Sequence, residues 1–484
     1  MRLIFEGHDH RYAVEQMVTM LLPRRPITQD EGDHDLGVVT LLGDAARAVF
    51  TLDGKTVSGE AQLSEFGLDT PDDPPAREQR LVKMAVYRAL KELVGKPAWG
   101  ALSGVRPAKL VRKWLERGAD SPACAQLLTG LYDLDRDKAI LAIRCAQESR
   151  AADALLEPGD ICLYIGIPFC PTRCAYCSFI SHDVKGALAL VAPYVDALER
   201  EIVHTGDLLR RRGLRLRAVY MGGGTPTTLE PGQLERLLSA LEPFLDRSCL
   251  TEFTVETGRP DTITPEKLAV LRAHGVDRVS VNPQTLSDEV LRAMGRAHTA
   301  QQFREAYALA RSAGFEAVNT DLIAGLPKDS PEGFQRTLDE LLALYPEEIT
   351  IHTLALKHGS ALLADPQNLP DAAAVTQMLA YAAQVLPQRG YRPYYLYRQK
   401  FMTGAMENVG WTRRERGSFY NIVMMEELGS VLALGAGGVT KLIDRKSGAV
   451  VRHTNPKYPK EYLERLEDIL SEREELAWPI NSAT

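Results

Sequence analysis

From about residue 160 the chain alternates six times between a short apolar run and a longer stretch of helical pattern. The apolar runs fall at 162–168, 216–221, 252–256, 278–282, 317–323 and 348–353. Such alternation predicts a parallel sheet: parallel neighbours cannot be joined by a tight hairpin, and a helix supplies the right-handed crossover between them. Six units fall short of the eight that close a full β/α barrel. The expected class is therefore α/β, with an open, partial (β/α)6 barrel over 156–385.

The flanks read differently. Residues 1–155 suggest an N-terminal α+β accessory domain. A strand at 2–5 leads to a helix at 12–22, then to the polar, acidic stretch PRRPITQDEGDHD. Runs at 37–42, 47–52 and 57–63 predict a small antiparallel sheet, with Asp53-Gly54 as a hairpin turn. TPDDPP at 70–75 is a linker signal, and 77–150 is helical by pattern, interrupted at GKPAWGALSGVRP. Residues 386–484 form a C-terminal mixed α/β extension with an aromatic cluster, RPYYLYRQK, and a Gly-rich segment, LGAGGV. The chain carries no internal repeat and no low-complexity tract.

Composition narrows the class of partner. At 484 residues, 45% hydrophobic and 25% charged, the chain has the ordinary globular mix. A net charge of -7 gives no general reason to expect nucleic acid or a membrane surface as partner. No apolar run reaches the roughly 18 residues of a spanning helix. The opening MRLIFEGHDHRY lacks the pattern of a secretion signal. The expectation is a soluble, cytoplasmic protein.

Seven cysteines do not make a disulfide framework in a chain of this length. Cys124, Cys145, Cys162 and Cys249 are isolated and read as small apolar residues in helices or strands. The other three crowd into IPFCPTRCAYCSF, directly after the first barrel strand. Cys170, Cys174 and Cys177 are spaced C-x3-C-x2-C. Three thiolates on one loop can hold three irons of a 4Fe-4S cube and leave the fourth open to an outside ligand. Zinc is the rival, but a structural zinc site needs a fourth protein ligand, and His182 is the one nearby candidate. Ligand count favours the cluster.

MGGGTPT at 221–227 follows the second strand. It reads either as a plain glycine-rich turn or as backbone that a ligand approaches closely. Glu256, Gln284 and Asp321 sit at or just past the ends of the third, fourth and fifth strands. One such residue alone would pass as a helix cap or a loop residue. Three on successive strands, above a cysteine loop on the first, match the carboxyl-end placement of functional groups in parallel barrels.

The C-x3-C-x2-C loop after a strand resembles the signature of the radical S-adenosylmethionine (SAM) superfamily. The fuller string YIGIPFCPTRCAYC resembles its oxygen-independent coproporphyrinogen III oxidase-like branch. PAWGALSGVRPAKLV, YYLYRQKFMTGAMENVGW and MMEELGSVLALGAG look like the coproporphyrinogen dehydrogenase HemZ type within that branch. The resemblance implies two cofactors, a 4Fe-4S cluster on the three cysteines and SAM on the open iron. An electron from the cluster would cleave SAM to methionine and a 5′-deoxyadenosyl radical. Gly223, Gly224 and Thr225 would meet the methionyl end of SAM. Glu256, Gln284 and Asp321 would line the SAM site, Asp321 near the ribose. Arg296, otherwise a solvated helix-end charge, matches a SAM-contacting arginine. Tyr164, Tyr176 and Ala355, the last otherwise ordinary strand packing, match further SAM contacts.

The implied activity is oxidative decarboxylation of coproporphyrinogen III to protoporphyrinogen IX in porphyrin and heme biosynthesis. A one-electron reductant protein such as a flavodoxin or ferredoxin would supply electrons. Two departures from the branch stand out. Ser178 and Phe179 occupy the region where better understood oxidases carry a fourth cysteine, and Gly166 replaces a histidine. Alternatives within the branch are a heme or porphyrin methyltransferase or degrading enzyme, and a heme-binding chaperone, although the chaperone's C-terminal HNxxYW-type motif is absent. By charge and position, Lys357, Arg398 and Lys400 are candidate partners for the carboxylates of a tetrapyrrole substrate. The basic stretch GVRPAKLVRK reads as a solvated helix start. Tyr394, Tyr395 and Tyr397 read as a packing patch.

Overall fold

The structure, a computed structural model, describes residues 1–23, 25–30, 34–177, 182–355, 362, 369–399, 406–476 and 478. Two compact units divide the chain, Met1–Gln147 and Glu148–Thr484.

In the first unit, β1 (Arg2–Glu6), β2 (Leu36–Leu42), β3 (Ala45–Leu52) and β4 (Lys55–Gln62) form a sheet in that order. β1 runs parallel to β2, and the remaining pairs are antiparallel. Asp53 and Gly54 close the β3–β4 hairpin between Leu52 and its partner Lys55. Both residues have positive φ, 50° and 77°, as the favoured two-residue hairpin turn requires. The TPDDPP stretch runs into a helix rather than a free linker. Asp73 accepts the Ala76 N–H at 3.1 Å as N-cap of the helix Pro74–Val94. Proline suits the first turn because its missing N–H has no partner there. A helix over Arg11–Leu21 precedes this one, and a third, Pro107–Glu116, begins within GVRPAKLVRK.

The second unit is built on one sheet. Its first strand is β5 (Asp160–Ile167), followed by the short pair β6 (Phe169–Cys170) and β7 (His182–Asp183). Then come β8 (Arg215–Gly223), β9 (Glu252–Glu256), β10 (Arg278–Ser280), β11 (Ala317–Ala324) and β12 (Glu348–Thr353). β5 and β8 to β12 lie side by side in chain order, every neighbouring pair parallel. The crossovers include the helices Val184–Arg211, Pro231–Leu241, Pro265–Ala273, Ala300–Ser312 and Pro331–Ala343. Local chemistry starts several of them: Thr264, Thr299 and Ser330 cap with their side chains, and Pro231, Pro265 and Pro331 occupy first turns.

The C-terminal stretch extends this sheet at both edges. β13 (Arg392–Arg398) and β14 (Glu407–Thr412) add beyond β12, with β14 antiparallel to it. β15 (Val431–Leu434) pairs in parallel with β5, and β16 (Val439–Ile443) and β17 (Val450–Thr454) follow antiparallel. Among the described residues the resulting order is β13-β14-β12-β11-β10-β9-β8-β5-β15-β16-β17, a sheet of eleven strands.

One region of the sheet holds an aromatic and polar filling. Tyr220 and Tyr420 stack at 4.4 Å, and Tyr164 stacks on both at 6.3 and 6.5 Å. Tyr394 and Tyr395 are buried in the same cluster, with Tyr397 against it. Nearer the amino ends of the strands, the Arg278 and Glu348 side chains, both almost wholly buried, form an ion pair at 2.6 Å. Glu252 accepts hydrogen bonds from the hydroxyls of Thr254 and Ser418 at 2.6 and 2.9 Å and from the Phe419 N–H at 2.5 Å. Charges buried this far from water persist only when paired or hydrogen-bonded.

Candidate active site

The cysteine loop leaves the carboxyl end of β5 and is stitched to the turn after β8. The Gly224 N–H donates to Ile167 O at 2.7 Å, and the Thr225 N–H donates to Phe169 O at 2.8 Å. This contact is why the turn is glycine-rich. A Cβ on Gly224 would stand 2.5 Å from Phe169 O and 3.0 Å from the Cys170 sulfur. Gly223 has φ +113°, a conformation side chains rarely adopt. Buried Thr225 places its hydroxyl 3.6 Å from the Cys170 sulfur.

Farther along, the loop is pinned to the segment after the helix Asp288–Ala293. The Ala175 N–H donates to Met294 O at 2.9 Å, and the Thr172 hydroxyl donates to Gly295 O at 3.3 Å. The Cys177 N–H turns back onto Cys174 O at 3.0 Å. Cys170, Cys174 and Cys177 are all partly exposed, whereas Cys124, Cys145 and Cys162 are buried. Burial pushes the Cys162 thiol well up, an apolar role. Cys249 is not in a helix or strand: it sits in a turn and its thiol donates to Asp246 at 3.3 Å. Among the described residues no three His, Cys, Asp or Glu side chains converge as a single metal ion would require. A cube takes each thiolate at a separate iron and needs no such convergence.

Above the loop, strand ends deliver a matched set of polar groups. Glu256 ends β9, and its carboxylate accepts the Tyr220 hydroxyl at 2.5 Å. Burial pushes the Glu256 carboxyl up to about 7, with Asp321 adding to the rise and the Tyr220 hydrogen bond opposing it. Asp321, on β11, accepts from the side-chain amides of Asn282 and Asn319 at 2.8 and 2.7 Å and faces His352 Nε2 at 3.7 Å. Burial works against its ionisation, yet His352 and Asn319 together hold the carboxyl below its usual range. Gln284 follows β10 in a left-handed conformation, φ 67°. Its backbone donates to Asp321 O and accepts from the Ile323 N–H, at 3.0 and 3.1 Å. The side-chain Oε1 is buried without a partner among the described residues.

Arg296 is buried rather than solvated. It donates to the Tyr176 hydroxyl and to Gly258 O, each at 3.3 Å, and its Nε has no partner among the described residues. Tyr164 lines the aromatic stack, and half-buried Ala355 follows Leu354, whose N–H donates to Ala324 O at 2.9 Å. Among the described residues, these strand ends thus offer two carboxylates, an unpartnered acceptor on Gln284 and an unpartnered donor on Arg296. SAM presents an ammonium, a carboxylate and a ribose diol, and this donor and acceptor set fits it.

Lys357, Lys400, Ser178 and Phe179 lie outside the described residues. Arg398 is not a surface residue: it is buried on β13, where burial lowers its guanidinium to about 10 against the opposing charge of Glu407. Tyr220, Asn282, Asn319 and His352 were not singled out from the sequence. Their signal was faint but present, namely polar residues inside runs otherwise apolar enough for a central strand.

The radical SAM superfamily matches residues 164–341. The oxygen-independent coproporphyrinogen-III oxidase-like protein HemZ of Bacillus subtilis is 38% identical over 380 residues, 78% of this chain and 76% of that protein. The chain belongs to the radical SAM superfamily. That superfamily uses a 4Fe-4S cluster together with SAM. The heme chaperone HemW of Escherichia coli is 27% identical, over 62% of this radical SAM chain and 75% of the chaperone. Among solved structures, the coproporphyrinogen III oxidase HemN of Escherichia coli superposes with a TM-score of 0.52 at 25% identity, covering 67% of this chain and 73% of that one. No helix among the described residues is long and apolar enough to cross a membrane.

Proposed function

We propose that this radical SAM protein carries out the oxygen-independent oxidative decarboxylation of coproporphyrinogen III to protoporphyrinogen IX. The observation that carries the reading is the likeness to HemZ, which spans 78% of the chain and so reaches well past the shared barrel core. Cys170, Cys174 and Cys177 are the cluster ligands in this reading. Once bound, the cluster and SAM would supply the radical chemistry needed to remove a hydrogen atom from an unactivated propionate carbon, which lies beyond the reach of any side-chain base.

The chain's own residues bind and orient. Glu256 would accept the SAM ammonium, and Arg296 would receive its carboxylate. Asp321, held in place by Asn282 and Asn319, accepts the ribose hydroxyls. Gly223, Gly224 and Thr225 let backbone approach the methionyl end, with Gln284, Tyr164, Tyr176 and Ala355 closing the pocket. Each propionate that reacts loses one hydrogen atom, one further electron and carbon dioxide, and becomes a vinyl group; two of the four react. The missing electron would leave to an acceptor, and a one-electron reductant protein such as a flavodoxin or ferredoxin would supply electrons.

The test is anaerobic turnover with SAM, a strong one-electron reductant, an electron acceptor and coproporphyrinogen III. Protoporphyrinogen, with one 5′-deoxyadenosine per carbon dioxide released, is the expected result. SAM cleavage with coproporphyrinogen untouched, but heme methylated or opened, would overturn it.

A further inference from the structure

Behind the cysteine loop lies a charged residue that neither SAM binding nor substrate chemistry uses. Arg259 follows β9 in the turn GRPDT, and only 4% of it is exposed. Its guanidinium is clamped by Asp261: Nε to Oδ1 at 2.9 Å and Nη2 to Oδ2 at 3.0 Å. This is the bidentate fork geometry that fixes an arginine most firmly. The other edge of the guanidinium reaches the cysteine loop. Nη1 donates to Thr172 O at 3.3 Å and to the Cys174 sulfur at 3.7 Å, and both terminal nitrogens lie 3.2 Å from the Thr172 hydroxyl. Thr172 stands midway between Cys170 and Cys174. One cation therefore holds the turn that spaces two of the three thiolates and touches one of the sulfurs.

The neighbours leave that charge in place. A guanidinium stays protonated in proteins, and the Asp261 carboxylate pairs with that of Arg259 at 2.9 Å. Buried His298 packs nearby, and burial with the charges of Arg296 and Arg259 holds its ring neutral, down to about 3. Arg296 itself extends to Tyr176 and Gly258.

We propose that Arg259 is a positioning residue for the cluster, clamped by Asp261, which shapes the Cys170–Cys174 turn and raises the cluster's reduction potential. The inference rests on the reading that Cys170, Cys174 and Cys177 hold the cluster. A cube on three thiolates gains one negative charge on reduction, and a fixed cation beside a ligand sulfur favours the more negative form. Net charge and hydrogen bonds to sulfur are recognised determinants of such potentials. The low dielectric around a residue this buried keeps the interaction from being screened away.

Asp261 gives the proposal a test of sign. Removing the cation should lower the potential, and removing its counter-charge should raise it; a merely structural role would not separate the two. The experiment is a redox titration of the anaerobically reconstituted full chain, without SAM, read by electron paramagnetic resonance of the reduced cluster. Iron and sulfide are assayed in parallel. Arg259→Gln should lower the ratio of reduced to oxidised cluster about tenfold at a fixed poise, equivalent to about 59 mV for a one-electron couple. Asp261→Asn should shift it in the opposite direction, and Arg259→Lys should fall between wild type and Arg259→Gln. Cluster-loaded variants with the wild-type potential, or with both shifts of the same sign, would overturn the role of Arg259 and leave the ligand assignment standing. Should Arg259→Gln fail to retain a cluster, Asp261→Asn decides alone: an unmoved or lowered potential overturns the proposal. A wild-type chain that reconstitutes no cluster overturns the ligand assignment and this inference together.

Discussion

Glu256 is the residue at which function and stability pull apart. Its carboxyl rises from an ordinary 4.5 to about 7, because burial penalises the charge more than the Tyr220 hydroxyl repays. At about 1.4 kcal/mol per pKa unit, the ionised carboxylate costs the SAM-free fold about 3 kcal/mol above pH 7. The sign follows from proton counting. Between pH 4.5 and 7 the folded state binds more protons at this site than the unfolded chain, so stability falls as pH rises through that window. Above 7 the penalty is constant, and below 4.5 it vanishes. Glu256→Gln keeps an acceptor for Tyr220 and removes the ionisable group. The variant should therefore gain up to about 3 kcal/mol over wild type at pH 8 and nothing at pH 4.5. Anaerobic urea unfolding of both proteins at matched cluster loading, at pH steps from 4.5 to 8, measures this difference. The same variant should bind SAM at least tenfold more weakly at pH 8, since the ammonium loses its counter-charge. Wild-type affinity should increase as pH rises through 7, whereas the variant's should not. A Gln variant no more stable than wild type at pH 8 would refute the argument that burial strains this carboxylate.

Two further outcomes follow from the loop geometry. Replacing Cys170, Cys174 or Cys177 by Ala should abolish the approximately four irons and four sulfides expected of one cube, while Cys124→Ala and Cys249→Ala should leave iron content unchanged in the same colorimetric assay. Gly224→Ala should weaken both cluster retention and SAM affinity, because its methyl group would meet Phe169 O at 2.5 Å; full iron content with unchanged SAM binding by calorimetry would contradict the close approach.

Much of the barrel was legible because its signals are local. An apolar run bounded by turn residues specifies a strand wherever it lies, and the runs at 252–256 and 348–353 coincide with β9 and β12. The Asp53-Gly54 turn was legible for the same reason: its positive φ angles suit few residue pairs. The cysteine spacing and the carboxylates at strand ends needed only the order of elements along the chain.

What remained hidden depended on contacts between distant residues. Nothing in VLALG announces that Val431 will pair in parallel with Cys162, or that RPYYLYR will become an outer strand of the same sheet. Strand propensity marks the segments but not their partners, which backbone hydrogen bonding across the fold selects. The charges of Arg278, Glu348 and Arg259 look solvated in the sequence, because charged residues usually are. Only the tertiary structure brings each to a counter-charge that makes burial tolerable. The composition of the chain and its local periodicity determined which elements exist and which chemistry they carry. The long-range packing decided how far the sheet extends, which carboxylate sits strained beside a tyrosine, and which arginine stands behind the cysteine loop. Those outcomes are set by desolvation and pairing energies that exist only once the chain has closed on itself.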